Sequence, residues 1–319
     1  MRFSVVIPTR NRAEHVVKMI QHLLLQRYPP KDFEIIVVNN GTDDTVSRIQ
    51  HLSKGSHQLL LGESKTGPSF ARNRGYMMAH FPFIVFLDDD IRVHPDFLTH
   101  VADAWKTHPG ASYLGGRIIP HSTALGDSLL AKRKHRLLCQ KYNWIYAYID
   151  YGKRPKIIKR NELLCSAIIS IRKPFLYRSG PFDTKLGRPY LGVHINAEEF
   201  ELTNWLLSKN KHVWYVPQIK GYHAFDANRF SSIYILMRHI TAGAERYLMD
   251  KLLSHKCRSF QNYTYISSVW FSLREALQQK NIQHLTRFKD PMKITYLCSY
   301  CILGPLLYLI TIFYDLTRI

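Results

Sequence analysis

From Phe3 to about Ile119 the chain alternates two patterns of apolar and polar positions. Phe3–Ile7 is a largely apolar run closed by Pro8, the pattern of a strand buried on both faces. Over Ala13–Gln26, apolar Val16, Val17, Ile20, Leu23 and Leu24 recur at helical spacing. Phe33–Val38 reads as a second buried strand ending at Asn39-Asn40-Gly41, and Asp43 or Asp44 offers a cap for the helix that follows. Further strands are expected over His57–Leu61, Phe83–Leu87 and Ser112–Ile119, and helices over Pro68–His80 and Pro95–His108. This rhythm predicts an α/β fold, a mostly parallel sheet with helices on both faces. Such sheets bind ligands at the carboxyl ends of their strands. Thr9-Arg10-Asn11, Asn39-Asn40 and Asp88-Asp89-Asp90 fall there.

Ala124–Arg160 interrupts the rhythm with basic and aromatic residues. Strands are then expected over Leu163–Ile171 and Val213–Val216. A helix over Ala197–Leu207 carries acids at its N-terminal end, which suits the helix dipole. Arg229–Leu253 and Tyr263–Gln279 read as longer amphipathic helices. Ile294–Tyr314 runs 21 residues without a charge. As a helix it would be about 30 Å long, enough to cross a bilayer. Gly304-Pro305 in mid-run leaves a re-entrant or in-plane segment open beside a full span. Arg287, Lys289 and Lys293 precede the run and only Arg318 follows, which puts the preceding chain on the cytoplasmic side. The N-terminal apolar stretch is too short for a signal peptide and reads as a strand.

The 319 residues carry a formal net charge of +20, and 46% are apolar, which excludes a disordered or low-complexity chain. The charge is lopsided. Residues 1–120 hold 14 Lys/Arg and 11 Asp/Glu, the remaining 199 hold 30 and 13. Lys132-Arg133-Lys134-His135-Arg136 followed by Tyr142-Asn143-Trp144-Ile145-Tyr146-Ala147-Tyr148 suits an anionic headgroup surface. Interleaved aromatics also suit nucleic-acid bases, but the apolar C-terminal run favours the membrane and makes nucleic acid the unlikely partner. The five cysteines form no regular framework, which argues for a reducing compartment. Cys298-x-x-Cys301 lies inside the apolar run without a second pair and reads as packing.

Phe86-Leu87-Asp88-Asp89-Asp90 carries the strongest chemical signal. Three carboxylates directly after a buried strand repel one another. A hard divalent ion with oxygen ligands would resolve this and would also hold a diphosphate. The alternative is a solvated acidic turn.

With its neighbours the triplet acquires a specific likeness. Val5-Val6-Ile7-Pro8-Thr9-Arg10-Asn11-Arg12, Glu34-Ile35-Ile36-Val37-Val38-Asn39-Asn40-Gly41-Thr42-Asp43, Gly67-Pro68-Ser69-Phe70-Ala71-Arg72-Asn73-Arg74-Gly75 and Phe86-Leu87-Asp88-Asp89-Asp90 stand in order. Together they resemble a family 2 glycosyltransferase of the GT-A fold, the last segment resembling its metal-binding DxD motif. Gly180-Pro181-Phe182-Asp183 and Glu198-Glu199-Phe200-Glu201-Leu202 are similar to the family's acceptor-side pattern. The likeness is close over about 100 residues and weaker to about residue 245.

The resemblance implies an inverting transfer of one sugar from a nucleotide-diphosphate sugar, with Mg²⁺ or Mn²⁺ as cofactor. Asp90 would bind the metal, with Asp88 and His223 as further metal candidates. Asp88 and Asp89 would hold the ribose. Pro8, Thr9, Arg10, Asn40 and Arg72 complete the donor-binding set, and Arg72 and Asn73 would support the nucleotide pocket or pack the helix. Glu199, beside Glu198, takes the place of the general base, where the family usually has Asp. Asn39-Asn40 is a second departure, since many members carry at least one Asp there. An amide both donates and accepts, whereas a carboxylate only accepts.

No Q-x-x-R-W pattern is present, which argues against a processive polymerase. The organisation expected is a nucleotide-sugar-binding half (1–120), an acceptor-binding half with the basic aromatic segment (121–228), C-terminal helices (229–290) and a membrane segment (294–314). The acceptor would be a lipid-linked saccharide or another glycan at the cytoplasmic face of the cell membrane. Two other readings are a nucleotidyltransferase, which lacks its Gly-rich phosphate loop here, and a catalytically inactive, basic membrane-binding protein of the same fold.

Overall fold

Each apolar run of the N-terminal region becomes a strand, delimited by the polar turns around it. The computed structural model describes residues 1–53, 59–121, 137, 139, 140, 143, 145–159, 162, 164–173, 181–184, 186, 189, 190, 193, 194, 198–224, 227–231 and 233–242. The chain runs β1 (Phe3–Thr9), α1 (Ala13–Leu24), β2 (Phe33–Asn39), α2 (Thr45–Ser53), β3 (Leu59–Glu63), α3 (Pro68–Met78), β4 (Phe83–Leu87), β5 (Ile91–Val93), α4 (Phe97–Thr107) and β6 (Ala111–His121). It continues with β7 (Lys156–Ile157), β8 (Ile168–Arg172), β9 (Pro189–Tyr190), β10 (Val193–His194), α5 (Glu198–Ser208) and β11 (His212–Ala224).

The main sheet has the order β3-β2-β1-β4-β8-β6-β11-β5, with β7 paired to β11. The β3-β2-β1-β4 portion is parallel. β8 runs antiparallel between β4 and β6, and β5 antiparallel on β11, so the sheet is mixed rather than mostly parallel. Strand direction is set by where the chain re-enters the sheet, which apolar runs do not encode. The halves expected to meet at residue 120 therefore share one sheet and one core.

Helix packing follows the periodicity. α1 buries Val16, Met19, Ile20 and Leu23, and α4 buries Leu98, Val101, Ala102 and Trp105. The α3 helix begins after Gly67 at φ 131, a left-handed value that a side chain would resist, with Pro68 in its first turn. Gly75 brings α3 against β1, since a Cβ there would meet Val6 Cγ1 at 2.2 Å. That approach holds Arg72 and Asn73 near the ends of β1 and β4.

β11 is longer than the expected Val213–Val216. Its pairing with β6 shifts register between Val216 and Lys220, around Pro217, which has no N–H for a ladder bond. The strand resumes after the irregularity and carries His223 opposite Ile91 of β5.

Met1–Arg188 and Glu198–Phe230 form one compact unit, and Pro189–Ala197 with Ser231–Ile319 a second. In the second unit β9 and β10 pair antiparallel, and residues 233–242 are helical. Among the described residues no helix is long and apolar enough to cross a membrane. Lys132–Arg136, the helix expected over Tyr263–Gln279 and the apolar run Ile294–Tyr314 lie outside them.

Candidate active site

Thr9, Asn40 and Asp88–Asp90 stand at the carboxyl ends of β1, β2 and β4, and His223, near the end of β11, joins them there. The triplet that follows β4 is held by its backbone. Asp88 N–H donates to the Ala167 carbonyl (3.3 Å), and Ala224 N–H donates to the Asp90 carbonyl (2.8 Å). The second bond ties the end of β11, and so His223, to the triplet.

Each of the three carboxylates meets a cation, Asp89 and Asp90 sharing Arg12 and Asp88 taking Arg72. Asp89 Oδ2 accepts from the Thr9 hydroxyl (2.7 Å) and Oδ1 from Arg12 Nη1 (3.0 Å). Asp90 Oδ2 accepts from the same Arg12 Nη1 (2.8 Å), while its Oδ1 faces His223 Nε2 at 3.3 Å. Asp88 Oδ1 accepts from Arg72 Nη2 (2.8 Å). Burial, then the Asp90 charge, pushes the Asp89 carboxyl up to about 6 against the pull of Arg12 and Thr9. Burial alone would raise Asp90 too, but His223 and Arg12 outweigh it and hold that carboxyl well below the usual carboxylate range.

Arg72 links this triplet to α5. Its guanidinium is buried, with Nη2 on Asp88 and Nη1 on Glu198 Oε1 at 2.7 Å. The guanidinium carbon lies over the Phe182 ring at 5.5 Å. Next to it, Asn73 makes a two-way clamp: its Nδ2 donates to the Phe182 carbonyl (2.7 Å) and its Oδ1 accepts from Phe182 N–H (3.0 Å). The Pro181-Phe182-Asp183 segment is thus fastened to α3, and Asn73 packs rather than faces ligand.

Glu199 follows Glu198 at the start of α5. Its Oε2 is buried without a hydrogen-bond partner. Burial, then the charge of Glu198, pushes the Glu199 carboxyl well above its ordinary 4.5, with Arg72 opposing. A carboxyl raised in this way accepts a proton more readily, which is what a general base requires.

On the other flank, Asn40 N–H donates to the Thr9 carbonyl (3.0 Å), and Asn40 Oδ1 is buried without a hydrogen-bond partner. The loop around it is shaped by Asn11, at φ 53, whose Oδ1 accepts from Thr42 N–H (2.8 Å) and Asp43 N–H (3.3 Å). Gly41 fits beneath, since a Cβ there would meet Asn11 Oδ1 at 2.3 Å. Asp43 accepts from Thr45 N–H (3.3 Å) at the start of α2.

The structure therefore sorts the expected residues. Thr9, Asn40, Asp89, Asp90 and His223 share the strand ends. Pro8 is half-buried in β1, opposite Val38 of β2, and Arg10 is exposed beside the site. Arg72, expected to bind donor, has both terminal nitrogens committed to Asp88 and Glu198 and only 4% exposure. Asp88, expected as a metal ligand and ribose contact, is turned to Arg72. Among the described residues no three His, Cys, Asp or Glu side chains form a metal cage. The Asp90–His223 pair nevertheless fits a divalent ion that takes its remaining ligands from water and a diphosphate, because a buried carboxylate oxygen and an imidazole nitrogen, both ordinary ligands of such an ion, stand 3.3 Å apart. Sequence reasoning missed Arg12. It quoted the residue inside the opening motif but gave it no role, and nothing local in the sequence joins it to carboxylates 77 and 78 positions later.

A carboxylate triplet at the ends of parallel strands, joined through one arginine to a buried acidic pair, defines with this fold a glycosyltransferase of the GT-A type. The family model of Glycosyl transferase family 2 matches residues 4–178, and the chain belongs to that family. It is similar to the glycosyltransferase AglE of Haloferax volcanii, 31% identical over 118 residues, which is 36% of this chain and 38% of that one. It is also similar to a GalNAc(5)-diNAcBac-PP-undecaprenol beta-1,3-glucosyltransferase of Campylobacter jejuni, 39% identical over 93 residues, 28% and 29% of the two chains. The chain thus spans about a third of the length of these curated relatives. Among solved structures, the mannosyltransferase PcManGT of Pyrobaculum calidifontis in complex with GDP-Man and Mn²⁺ superposes with a TM-score of 0.58 at 16% identity, over 97% of this chain and 87% of that one. The Staphylococcus aureus TarS fragment in complex with UDP gives 0.51 at 17%, over 98% and 87%. At these identities the solved structures speak for the fold.

Arg72→Gln leaves the buried Glu198 and the half-buried Asp88 without their shared counter-charge. It is expected to lower the unfolding free energy by about 3–5 kcal/mol, with Arg72→Lys recovering part of the loss, both read by urea denaturation. An unchanged midpoint would remove the bridge from the account of stability. Glu199 makes a second prediction. Below its unfolded value near 4.5 the carboxyl is protonated in both states and contributes no pH dependence. As the pH rises further, the unfolded chain ionises first and stability is lost until the raised folded value is passed. Glu199→Gln should therefore gain on wild type in unfolding free energy between pH 5 and pH 8, whereas a difference that stays constant would contradict the raised carboxyl.

Proposed function

We propose that this enzyme transfers one sugar, with inversion, from a nucleotide-diphosphate sugar to a lipid-linked saccharide or glycan acceptor at the cytoplasmic face of a membrane. The observation that carries the reading is the convergence of Asp90 and His223 with a buried Glu198–Glu199 pair, bridged to the triplet by Arg72. The relatives support it in their own terms: PcManGT is in complex with GDP-Man and Mn²⁺, and the Campylobacter enzyme is named for an undecaprenol-diphosphate acceptor.

Asp90 and His223 would hold Mg²⁺ or Mn²⁺, which neutralises the charge that grows on a departing diphosphate. Thr9 and Arg12 orient Asp89 at the donor end. Asn40 Oδ1 offers an acceptor to the edge of a base. Glu199 takes the proton of the acceptor hydroxyl as that oxygen attacks the anomeric carbon. Glu198, paired with Arg72, keeps a negative charge beside Glu199 and so keeps it basic. The oxocarbenium-like character of the sugar at that moment places the positive charge between the diphosphate and these carboxylates.

The membrane reading is supported by composition. Residues 121–319 hold 30 Lys/Arg against 13 Asp/Glu, and Ile294–Tyr314 carries no charge. Basic clusters bind anionic headgroups, and an uncharged run of that length inserts.

The donor site is tested by binding and slow hydrolysis of a nucleotide-sugar panel, with and without Mn²⁺, in wild type and Asp90→Ala. One nucleotide should bind in a metal-dependent way and be lost, by at least tenfold in affinity, in the variant. No binding of any nucleotide by the folded chain would favour the inactive membrane-binding reading. For the membrane, the full chain should float with anionic liposomes and lose most of that binding when Lys132, Arg133, Lys134 and Arg136 are changed to Gln. Equal flotation would end the docking role of that cluster.

A further inference from the structure

The catalytic reading uses Arg12 only to orient Asp89 and leaves its second contact, to Asp90, without a role. Arg12 stands just after β1, where Asn11 pins the backbone to the Thr42–Asp43 turn. Its side chain is 44% exposed, whereas the Asp89 and Asp90 side chains it grips are 6% and 9% exposed. The anchor is fixed and the carboxylates are buried, but the guanidinium has solvent on its open side and can leave without disturbing the core.

What it grips matters more than that it grips. A single nitrogen, Nη1, is shared between Asp89 Oδ1 (3.0 Å) and Asp90 Oδ2 (2.8 Å). His223 Nε2 stands at the other Asp90 oxygen, 3.3 Å away. A divalent ion that binds Asp90 must therefore share that carboxylate with a fixed positive charge in contact with it. Like charges at that separation oppose each other strongly in a buried setting. A diphosphate changes the balance, because it brings negative oxygens that both cations can contact, and arginine forks onto such oxygens readily.

We propose that Arg12 is a resident counter-ion of the donor site. In the donor-free protein it occupies the Asp90 carboxylate and keeps a free divalent ion from settling there. When the nucleotide diphosphate arrives it turns from Asp90 to the phosphate oxygens, so that metal and donor enter together. This rests on the reading of Asp90 as a metal ligand, and the experiment separates the two.

Mn²⁺ binding is followed by electron paramagnetic resonance on the full chain, with and without UDP or GDP, after correction for Mn²⁺ held by free nucleotide. Without nucleotide, Arg12→Gln should bind Mn²⁺ about tenfold more tightly than wild type, and Arg12→Lys, which keeps the charge, should stay within about twofold. The gain should vanish in the Arg12→Gln, Asp90→Ala double variant. In the presence of Mn²⁺, Arg12→Gln should bind its nucleoside diphosphate about tenfold more weakly. Thermal melting confirms that the variants fold. Should Arg12→Gln fail to fold, wild type and Arg12→Lys carry the test: nucleotide should raise Mn²⁺ affinity at least tenfold in both, and the absence of that coupling overturns the proposal. Equal or weaker Mn²⁺ binding by folded Arg12→Gln also overturns it. Tighter Mn²⁺ binding by that variant with no nucleotide bound by any form would keep the competition and discard the donor reading instead.

Discussion

One buried guanidinium holds the two ends of this site together. Arg72 lies on α3, Asp88 follows β4 and Glu198 opens α5, so the ion pairs join segments up to 126 positions apart. Two carboxylates in a low-dielectric interior repel each other by more than packing can offset unless a cation stands between them. Because arginine is planar and always charged, its two nitrogens fix a distance and a direction as well as a charge. Gly75 places α3 close enough to β1 for the side chain to reach, and the Phe182 ring gives the guanidinium a face to lie on.

The same logic runs through the donor end. The triplet that looks unstable as a string of letters is held by surrounding partners, Asp88 by Arg72, Asp89 by Thr9 and Arg12, and Asp90 by the same Arg12 and His223. Its carboxyls are accordingly driven in opposite directions, Asp89 upward by burial and by its neighbour, Asp90 downward by the cations around it. Divergent environments for adjacent acids are how a site gives them different tasks. Family membership makes the task sugar transfer.

Much of this was legible in the residues. Apolar runs closed by Pro8, Asn39 and Asp88 located three parallel strands within two residues of their observed ends. The helical spacing over α1 identified Val16, Ile20 and Leu23 on its buried face, while Val17 is half-buried and Leu24 exposed. The family resemblance put Arg72 in the donor-binding set, supporting the nucleotide pocket or packing the helix; in the structure it is buried with both terminal nitrogens on acids. His223 was one of 16 histidines, and only the family resemblance offered it as a metal candidate. Its place depends on β11 continuing beyond Pro217, where the pattern suggested an end.

Local sequence determined what depends on short-range sterics and on the transfer of side chains from water: which segments are strands, which helix faces are buried, and which carboxylates stand at strand ends. Tertiary structure decided what depends on direction and on charges brought together from afar. It turned β8 against its neighbours, spent Arg72 on two acids rather than on ligand, and laid Arg12 on Asp89 and Asp90. Those choices follow from how the chain re-enters the sheet and from the cost of leaving a buried charge alone, and neither is written in any window of neighbouring residues.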